Sequence, residues 1–119
     1  MMELPAEHEL IALFESEPEL TDPQYPWAYN TVTFNLTRED DHLSAVIEPG
    51  LERVRLTWSR AEEELLDVVL EGIARLSTET RDGRETLLLT FLDDLPFDEL
   101  RVRVKPTIHF FWRTRGKIL

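Results

Sequence analysis

Apolar and polar residues alternate with a period of two in six separate segments of this 119-residue chain. In a β-strand, successive side chains point to opposite faces, so this alternation predicts strands with one buried and one exposed face. Short turn sequences separate the first three segments, which predicts an antiparallel meander. The six segments are residues 31–37, 43–47, 53–58, 86–91, 100–105 and 107–113.

One helix is predicted ahead of the strands. Leu10, Leu13 and Phe14 recur at the spacing that places side chains on one face of a helix, and Ala6 lies one turn earlier. Pro5 suits the first turn, where its missing backbone N–H has no helical partner to lose. We therefore expect the helix to pack against the sheet through this apolar face.

The next segment, residues 16–28, contains three prolines and therefore cannot continue the helix. We interpret it as an ordered loop that is held in place by Tyr25 and Trp27. Two shorter turns, at residues 39–41 and 49–50, then separate the strands of the meander.

Residues 59–80 allow two interpretations. The Arg-Asp-Gly-Arg sequence at 81–84 is typical of a hairpin turn, so the strand after it needs a partner before Asp82. We therefore favour a strand from about Leu65 to Thr80, after a short turn at 60–64. The alternative is a helix over 60–71 that runs into a strand at 73–80. It is supported by a capping pair, Ser59 and Glu62, and stays open.

Together these elements predict an α+β fold, mainly antiparallel β, with one N-terminal helix over a six- or seven-stranded sheet or open sandwich. Pro106 interrupts the last alternating stretch and predicts an edge or a bulge there. The tail, residues 113–119, is expected to fray. All 119 residues form a single domain in this interpretation. The predicted apolar core is Leu10, Leu13, Phe14, Val32, Phe34, Leu36, Ile47, Val54, Leu56, Trp58, Leu87, Leu89, Phe91, Val102, Val104, Ile108, Phe110 and Trp112.

The chain contains no cysteine, which excludes a disulfide scaffold, a zinc site built on thiolates and thiol catalysis. Its N-terminus lacks the basic start and long apolar run of a signal peptide. No apolar run approaches the roughly 20 residues that a membrane-spanning helix needs. We expect a cytoplasmic protein without a membrane segment, or a periplasmic one if a signal sequence has been removed.

Negative charge is concentrated in the first 50 residues, which hold eleven acidic residues and a single basic one, Arg38. The formal net charge of the chain is −11. A concentrated field of one sign speeds encounter with oppositely charged partners, so we expect a basic protein partner. Two loops supply the candidate partner-binding residues, because loops commonly carry binding function. These residues are Glu15, Glu17, Glu19, Asp22, Glu39, Asp40 and Asp41.

Motifs that would indicate an enzyme are missing. The sequence has no glycine-rich phosphate loop, no GxSxG, no HExxH and no zinc-spaced cysteine or histidine set. The acidic groups at 39–41, 62–64 and 93–99 are interpreted as solvated turns and loops, since none has the spacing of a metal or acid–base site. His109 is expected to lie on the polar face of its strand. We therefore predict no catalytic residue, no metal and no cofactor.

Basic residues share strand faces in two places, Arg53 with Arg55 and Arg101 with Arg103 and Lys105. Such rows could follow a phosphate backbone, but the net charge of −11 opposes nucleic acid binding. We expect the rows to pair with the acidic N-terminal helix and with Glu85 or Glu52, and we predict no nucleic acid partner.

Residues 82–91 (DGRETLLLTF) and 100–112 (LRVRVKPTIHFFW) place an apolar strand before a strand with Lys-Pro and a terminal aromatic. In this half the chain resembles small acidic bacterial immunity proteins, which neutralise secreted toxins, and related uncharacterised families. The resemblance implies a binding protein whose acidic surface meets a basic nuclease toxin. Two alternatives stay open: a self-associating module, which would form a homodimer, and a small hydrolase or ligand-binding protein that uses His109.

Overall fold

The computed structural model describes residues 1–115 as one α-helix, two short 3-10 helices and two antiparallel sheets, which confirms the α+β open sandwich. Within this range the two sheets contain nine strands, not the six or seven predicted. The first sheet has the order β1-β2-β3-β4-β5 and the second the order β6-β7-β8-β9. The described residues contain no helix with the length and apolar character needed to cross a membrane. The elements are α1 (Glu7–Phe14), β1 (Glu19–Leu20), β2 (Val32–Arg38), β3 (Asp41–Glu48), β4 (Arg53–Arg60), β5 (Glu63–Glu71), β6 (Ile73–Arg81), β7 (Arg84–Phe91), β8 (Phe97–Lys105) and β9 (His109–Thr114).

The inward faces of the two sheets supply the core. Phe34 pairs with Ala45, which pairs with Leu56, so one buried row crosses β2, β3 and β4. In the second sheet Leu89 is the buried centre of a similar row, between Leu76 and Leu100. Burying each such side chain contributes about 1.5–3 kcal/mol. The predicted alternation therefore defines the core faces of both sheets.

Three predicted core positions are not fully buried. Trp58 and Phe110 are half-buried and pack on each other, with ring centroids 5.6 Å apart. Trp112 was wrongly predicted to be buried, because 46% of its surface is exposed. Its strand, β9, is a sheet edge, so its ring is covered on one side only, by Phe91 and Phe97.

Helix α1 docks as predicted, through buried Leu10, Leu13 and Phe14. The ring of Phe14 stacks on Phe34 of β2 with centroids 5.2 Å apart. The helix also contacts β6 and β7, so it touches both sheets. Ala6 lies before the helix and is exposed, so it does not extend the apolar face.

Residues 63–81 are extended, so the predicted strand is confirmed and the alternative helix over 60–71 is wrong. The stretch is not one strand, however, because Gly72 divides it between the two sheets. Gly72 has a φ of +75°, and the side chain of Leu95 packs where its Cβ would lie. Its carbonyl accepts a hydrogen bond of 2.9 Å from Leu92 N–H. This glycine is thus the corner at which the chain changes sheets.

The interruption at Pro106 is a turn between two strands, not the predicted edge or bulge within one. The chain reverses after Lys105, and β9 pairs back antiparallel to β8, with Phe110 opposite Val102. The predicted fraying of the tail is wrong for Arg113 and Thr114, which belong to β9, and for Arg115, whose backbone N–H donates a hydrogen bond of 3.0 Å to the carbonyl of Pro96. The rest of that tail prediction, residues 116–119, lies outside the described residues.

The proline-rich loop is held by Trp27 and by Asn30, which no pattern in the sequence indicates. Trp27 packs against the core as predicted, but Tyr25 is 57% exposed and does not hold the loop. Asn30 is buried, and its Oδ1 accepts a hydrogen bond of 2.6 Å from Asp22 N–H. Its Nδ2 donates to the carbonyls of Tyr25 and Pro26. The side-chain amide of Asn30 therefore pairs with one backbone N–H and two backbone carbonyls of the loop, which lie outside any strand.

Candidate functional site

The segment from Glu15 to Asp22 runs along the outer side of β2, antiparallel to it. Glu15 follows α1 with a φ of +56°, which turns the chain onto this path. Farther along, Glu19 lies opposite Thr33, and Thr21 N–H donates to the carbonyl of Thr31. Four of the predicted partner-binding residues are therefore spaced along one sheet edge, over roughly 20 Å. These four are Glu15, Glu17, Glu19 and Asp22.

The other predicted partner-binding residues lie at one end of that edge. Glu39 and Asp40 form the exposed turn between β2 and β3, and Asp41 opens β3 opposite Arg38. Glu15 is at the same end, because its carboxylate contacts Arg38. The structure thus brings both predicted loops together. We refer to all seven predicted residues as the acidic edge.

Two members of the acidic edge are held by intramolecular partners. Arg38 donates a hydrogen bond of 2.9 Å to Glu15 and lowers the pKa of that carboxyl, and Lys105 lowers it further. Arg60 donates a hydrogen bond of 2.9 Å to Asp41 and lowers its pKa, with a second hydrogen bond from the Trp58 indole. These two carboxylates consequently support the fold as well as the surface.

The remaining members make no ion pair within residues 1–115. They are Glu17, Glu19, Asp22, Glu39 and Asp40. All but Asp22 are exposed, and Asp22 is half-buried. An uncompensated row of carboxylates on an exposed edge produces a negative potential that a basic surface can neutralise.

A second acidic turn, predicted from the sequence as a separate solvated segment at 62–64, adjoins this end of the sheet. Ala61 N–H donates a hydrogen bond of 3.0 Å to the carbonyl of Asp40. The β4–β5 turn, with Glu62 and Glu63, therefore lies beside the β2–β3 turn. The two turns are 20 or more residues apart in sequence, so their proximity follows only from the strand register.

Within residues 1–115, the predicted pairing of the basic rows holds for Lys105 and is wrong for the other four residues. Arg101 pairs with Glu79 and Glu99 of its own sheet, and Arg103 bonds only to Thr107. Lys105 contacts Glu85 at 2.9 Å and Glu15 at 3.4 Å, and the hydrogen bond from Glu85 raises the pKa of the lysine. Arg53 and Arg55 instead pair with acids on β3 and β5. The more exposed pairs, Arg53 with Glu71 and Arg55 with Asp67, contribute about 0–1 kcal/mol each and mainly fix orientation.

The residues considered for catalysis do not converge. His109 is exposed and stacks on Phe111 at a centroid distance of 5.7 Å. His42 Nδ1 lies 3.0 Å from the hydroxyl of Thr37. Within residues 1–115, no group of three or more histidine, aspartate or glutamate side chains is arranged to hold a metal ion.

Arg115 is a structural residue that the sequence did not indicate. Its guanidinium donates to the carbonyls of Phe91, Leu92 and Leu95 and contacts Asp98 at 3.3 Å. It thereby holds the loop between β7 and β8. Three of its acceptors are backbone carbonyls, which leave no side-chain pattern in a sequence.

By sequence, the chain matches no family model and no curated protein. By structure, it is similar to a chain from the contact-dependent growth inhibition toxin–immunity protein complex of Klebsiella pneumoniae 342. The TM-score is 0.77 at 16% sequence identity, and the match covers 94% of this chain and 96% of that one. At this identity the likeness establishes a shared fold. It agrees with the immunity-type resemblance noted from residues 82–91 and 100–112.

Proposed function

We propose that this chain is an immunity-type protein, which neutralises a toxin by binding it through the acidic edge. The observation that carries the proposal is the row of exposed carboxylates along β2 that have no cationic partner within residues 1–115. The shared fold with a chain of a toxin–immunity complex supports the functional class. A non-enzymatic, cytoplasmic inhibitor of a basic toxin is the form of this function that the charge pattern favours. A homodimer stays a prediction from the separation of acidic and basic residues.

The acidic edge suits a basic partner for a physical reason. Its carboxylates are spaced along β1, the segments that flank it and the neighbouring β2–β3 turn, so one basic surface can contact several of them at once. Long-range attraction then mainly accelerates association, by roughly 10 to 10³-fold at low salt. Shape and apolar contacts would determine how long the complex lasts.

The test starts by identifying the toxin that copurifies with the tagged chain from its source cell, and continues with that purified toxin. We expect Glu17→Lys/Glu19→Lys to slow association about tenfold or more at low salt and to reduce protection of toxin-producing cells. Asp93→Lys/Asp94→Lys is the matched control, because it makes the same charge change in an exposed loop outside the acidic edge. Equal association rates for both variants and the parent chain would contradict the proposed surface.

A further inference from the structure

An arginine-rich groove lies on the outer face of the second sheet, away from the core. It has a volume of about 330 Å³ and is lined by Arg81, Arg84, Arg101, Arg103 and Phe111, together with the acids Glu79 and Asp82. The chain as a whole has 24 acidic and 13 basic residues, so four arginines around one groove run against its overall charge. We call this site the arginine groove.

The nearby acids compensate only part of this positive charge. Arg101 is engaged, because it contacts Glu79 at 2.8 Å and Glu99 at 3.5 Å. Arg81 lies 4.0 Å from Asp82, and both side chains are at least 80% exposed, so this pair is weak. Arg84 and Arg103, in contrast, make no ion pair within residues 1–115.

Arg103 is held in place without losing its charge. Its Nε donates to the carbonyl of Thr107 at 3.2 Å, and its Nη2 donates to the hydroxyl of the same residue at 2.9 Å. Both acceptors are neutral, so the guanidinium is oriented while it remains available to an anion. Arg84 begins the neighbouring strand, two positions before Thr86, which pairs with Arg103. Two uncompensated guanidiniums therefore lie on adjacent strands of one face.

Phe111 adds an aromatic surface to the groove. It pairs with Arg101 across β8 and β9 and is 48% exposed. Its other neighbour, His109, stacks on it nearly in parallel, with an angle of 14° between the rings. Because His109 packs against it, the Phe111 ring offers an oriented face on which a planar ligand can stack.

We propose that the arginine groove binds a phosphate ester of nucleotide size, with the phosphate at Arg84 and Arg103 and the base on Phe111. Guanidinium forks match the oxygens of a phosphate and bind it in bidentate fashion. The volume of about 330 Å³ falls at the small end of ligand sites, which suits a mononucleotide. A long polyanion would also meet the repulsion of the −11 net charge, so a single phosphate group fits better.

Calorimetric titration of the whole chain with adenosine 5′-monophosphate, inorganic phosphate and adenosine tests this. We expect the monophosphate to bind more tightly than either phosphate or adenosine. Arg84→Gln/Arg103→Gln should weaken binding of the monophosphate and of phosphate by about tenfold or more, because charge-assisted hydrogen bonds are lost. Phe111→Leu should weaken the monophosphate alone. Arg75→Gln, which removes an exposed arginine outside the groove, should change neither.

Chemical-shift mapping on the unsubstituted protein provides a readout that does not depend on the folding of a variant. Shifts on addition of the monophosphate should centre on Arg84, Arg103 and Phe111. The proposal fails if the monophosphate produces no such shifts, or if Arg75→Gln weakens binding as much as the groove variant does. Tighter binding of a single-stranded oligonucleotide than of the monophosphate would also overturn it, in favour of a polyanion surface.

Discussion

Single residues determine where this chain bends, and Gly72 is the sharpest case. A glycine at φ +75° avoids the cost of about 1–2 kcal/mol that an L-residue pays in the left-handed region. Here the packed side chain of Leu95 adds a steric requirement. The corner between the sheets therefore depends on the absence of one methyl group.

Gly72→Ala should lower the free energy of unfolding by about 2–5 kcal/mol, since overpacking adds about 1–3 kcal/mol to the backbone cost. Gly83→Ala is the matched control: φ is +74° there, but no atom lies within 4 Å of the position its Cβ would take. Urea denaturation of both variants would measure the difference. Equal losses would show that Leu95 moves aside at little cost.

At the level of elements, helix α1 joins the two sheets through one apolar face. Because Phe14 is 1% exposed and stacks on Phe34, Phe14→Ala should lower the free energy of unfolding by about 3–5 kcal/mol. His8→Ala, on the exposed side of the same helix, should stay within about 0.5 kcal/mol of the parent chain. A thermal melt unaffected by the Phe14 change would contradict the docking of the helix.

Elements were predictable where one face is buried. The alternation around Phe34 and Leu89 reports burial directly, and the stripe on α1 does the same for a helix. The corner at Gly72 was not predicted, because residues 59–80 allowed either one long strand or a helix followed by a strand. Neither interpretation places β5 and β6 in different sheets. The hairpin after Lys105 was missed for the same reason: the alternation continues on both sides of Pro106.

The candidate site, too, was predictable only in part. Charge counting drew attention to the acidic edge, and the structure brings its two loops together at Glu15 and Arg38. Counting charges could not distinguish carboxylates that form ion pairs, such as Asp41, from those that form none within the described chain. Nor could it show that Arg84 and Arg103 lack acidic partners within the described chain, because ion pairing across strands depends on register.

At the scale of the whole molecule, the ion pairs of Glu15 and Asp41 make stability depend on pH. Both carboxyls have pKa values below their ordinary values of 4.5 and 3.8, through hydrogen bonds from Arg38 and Arg60. In acid, the unfolded chain therefore binds more protons at these two carboxyls than the folded chain does. The stabilisation is complete above the ordinary pKa values and is lost as the pH falls through the lowered pKa values of the folded state.

Urea midpoints should fall between pH 6 and about pH 3, and Glu15→Gln/Asp41→Asn should reduce that fall. Glu17→Gln, an exposed member of the acidic edge without an ion pair in the described chain, is the control and should keep the full pH dependence. A fall of the same size in the double variant would mean that other carboxyls cause the acid sensitivity.

The strand order has a consequence for how the chain reaches this structure. Within each described sheet, every strand pairs with the strand next to it in sequence. Loops closed early in folding are then short, so little chain entropy is spent before each pairing forms. Each meander can form by adding one hairpin after another, whereas contacts between the two sheets and α1 join residues far apart in sequence. We therefore expect those contacts to form later. Folding should accordingly be faster than in sandwiches whose strands cross repeatedly between sheets.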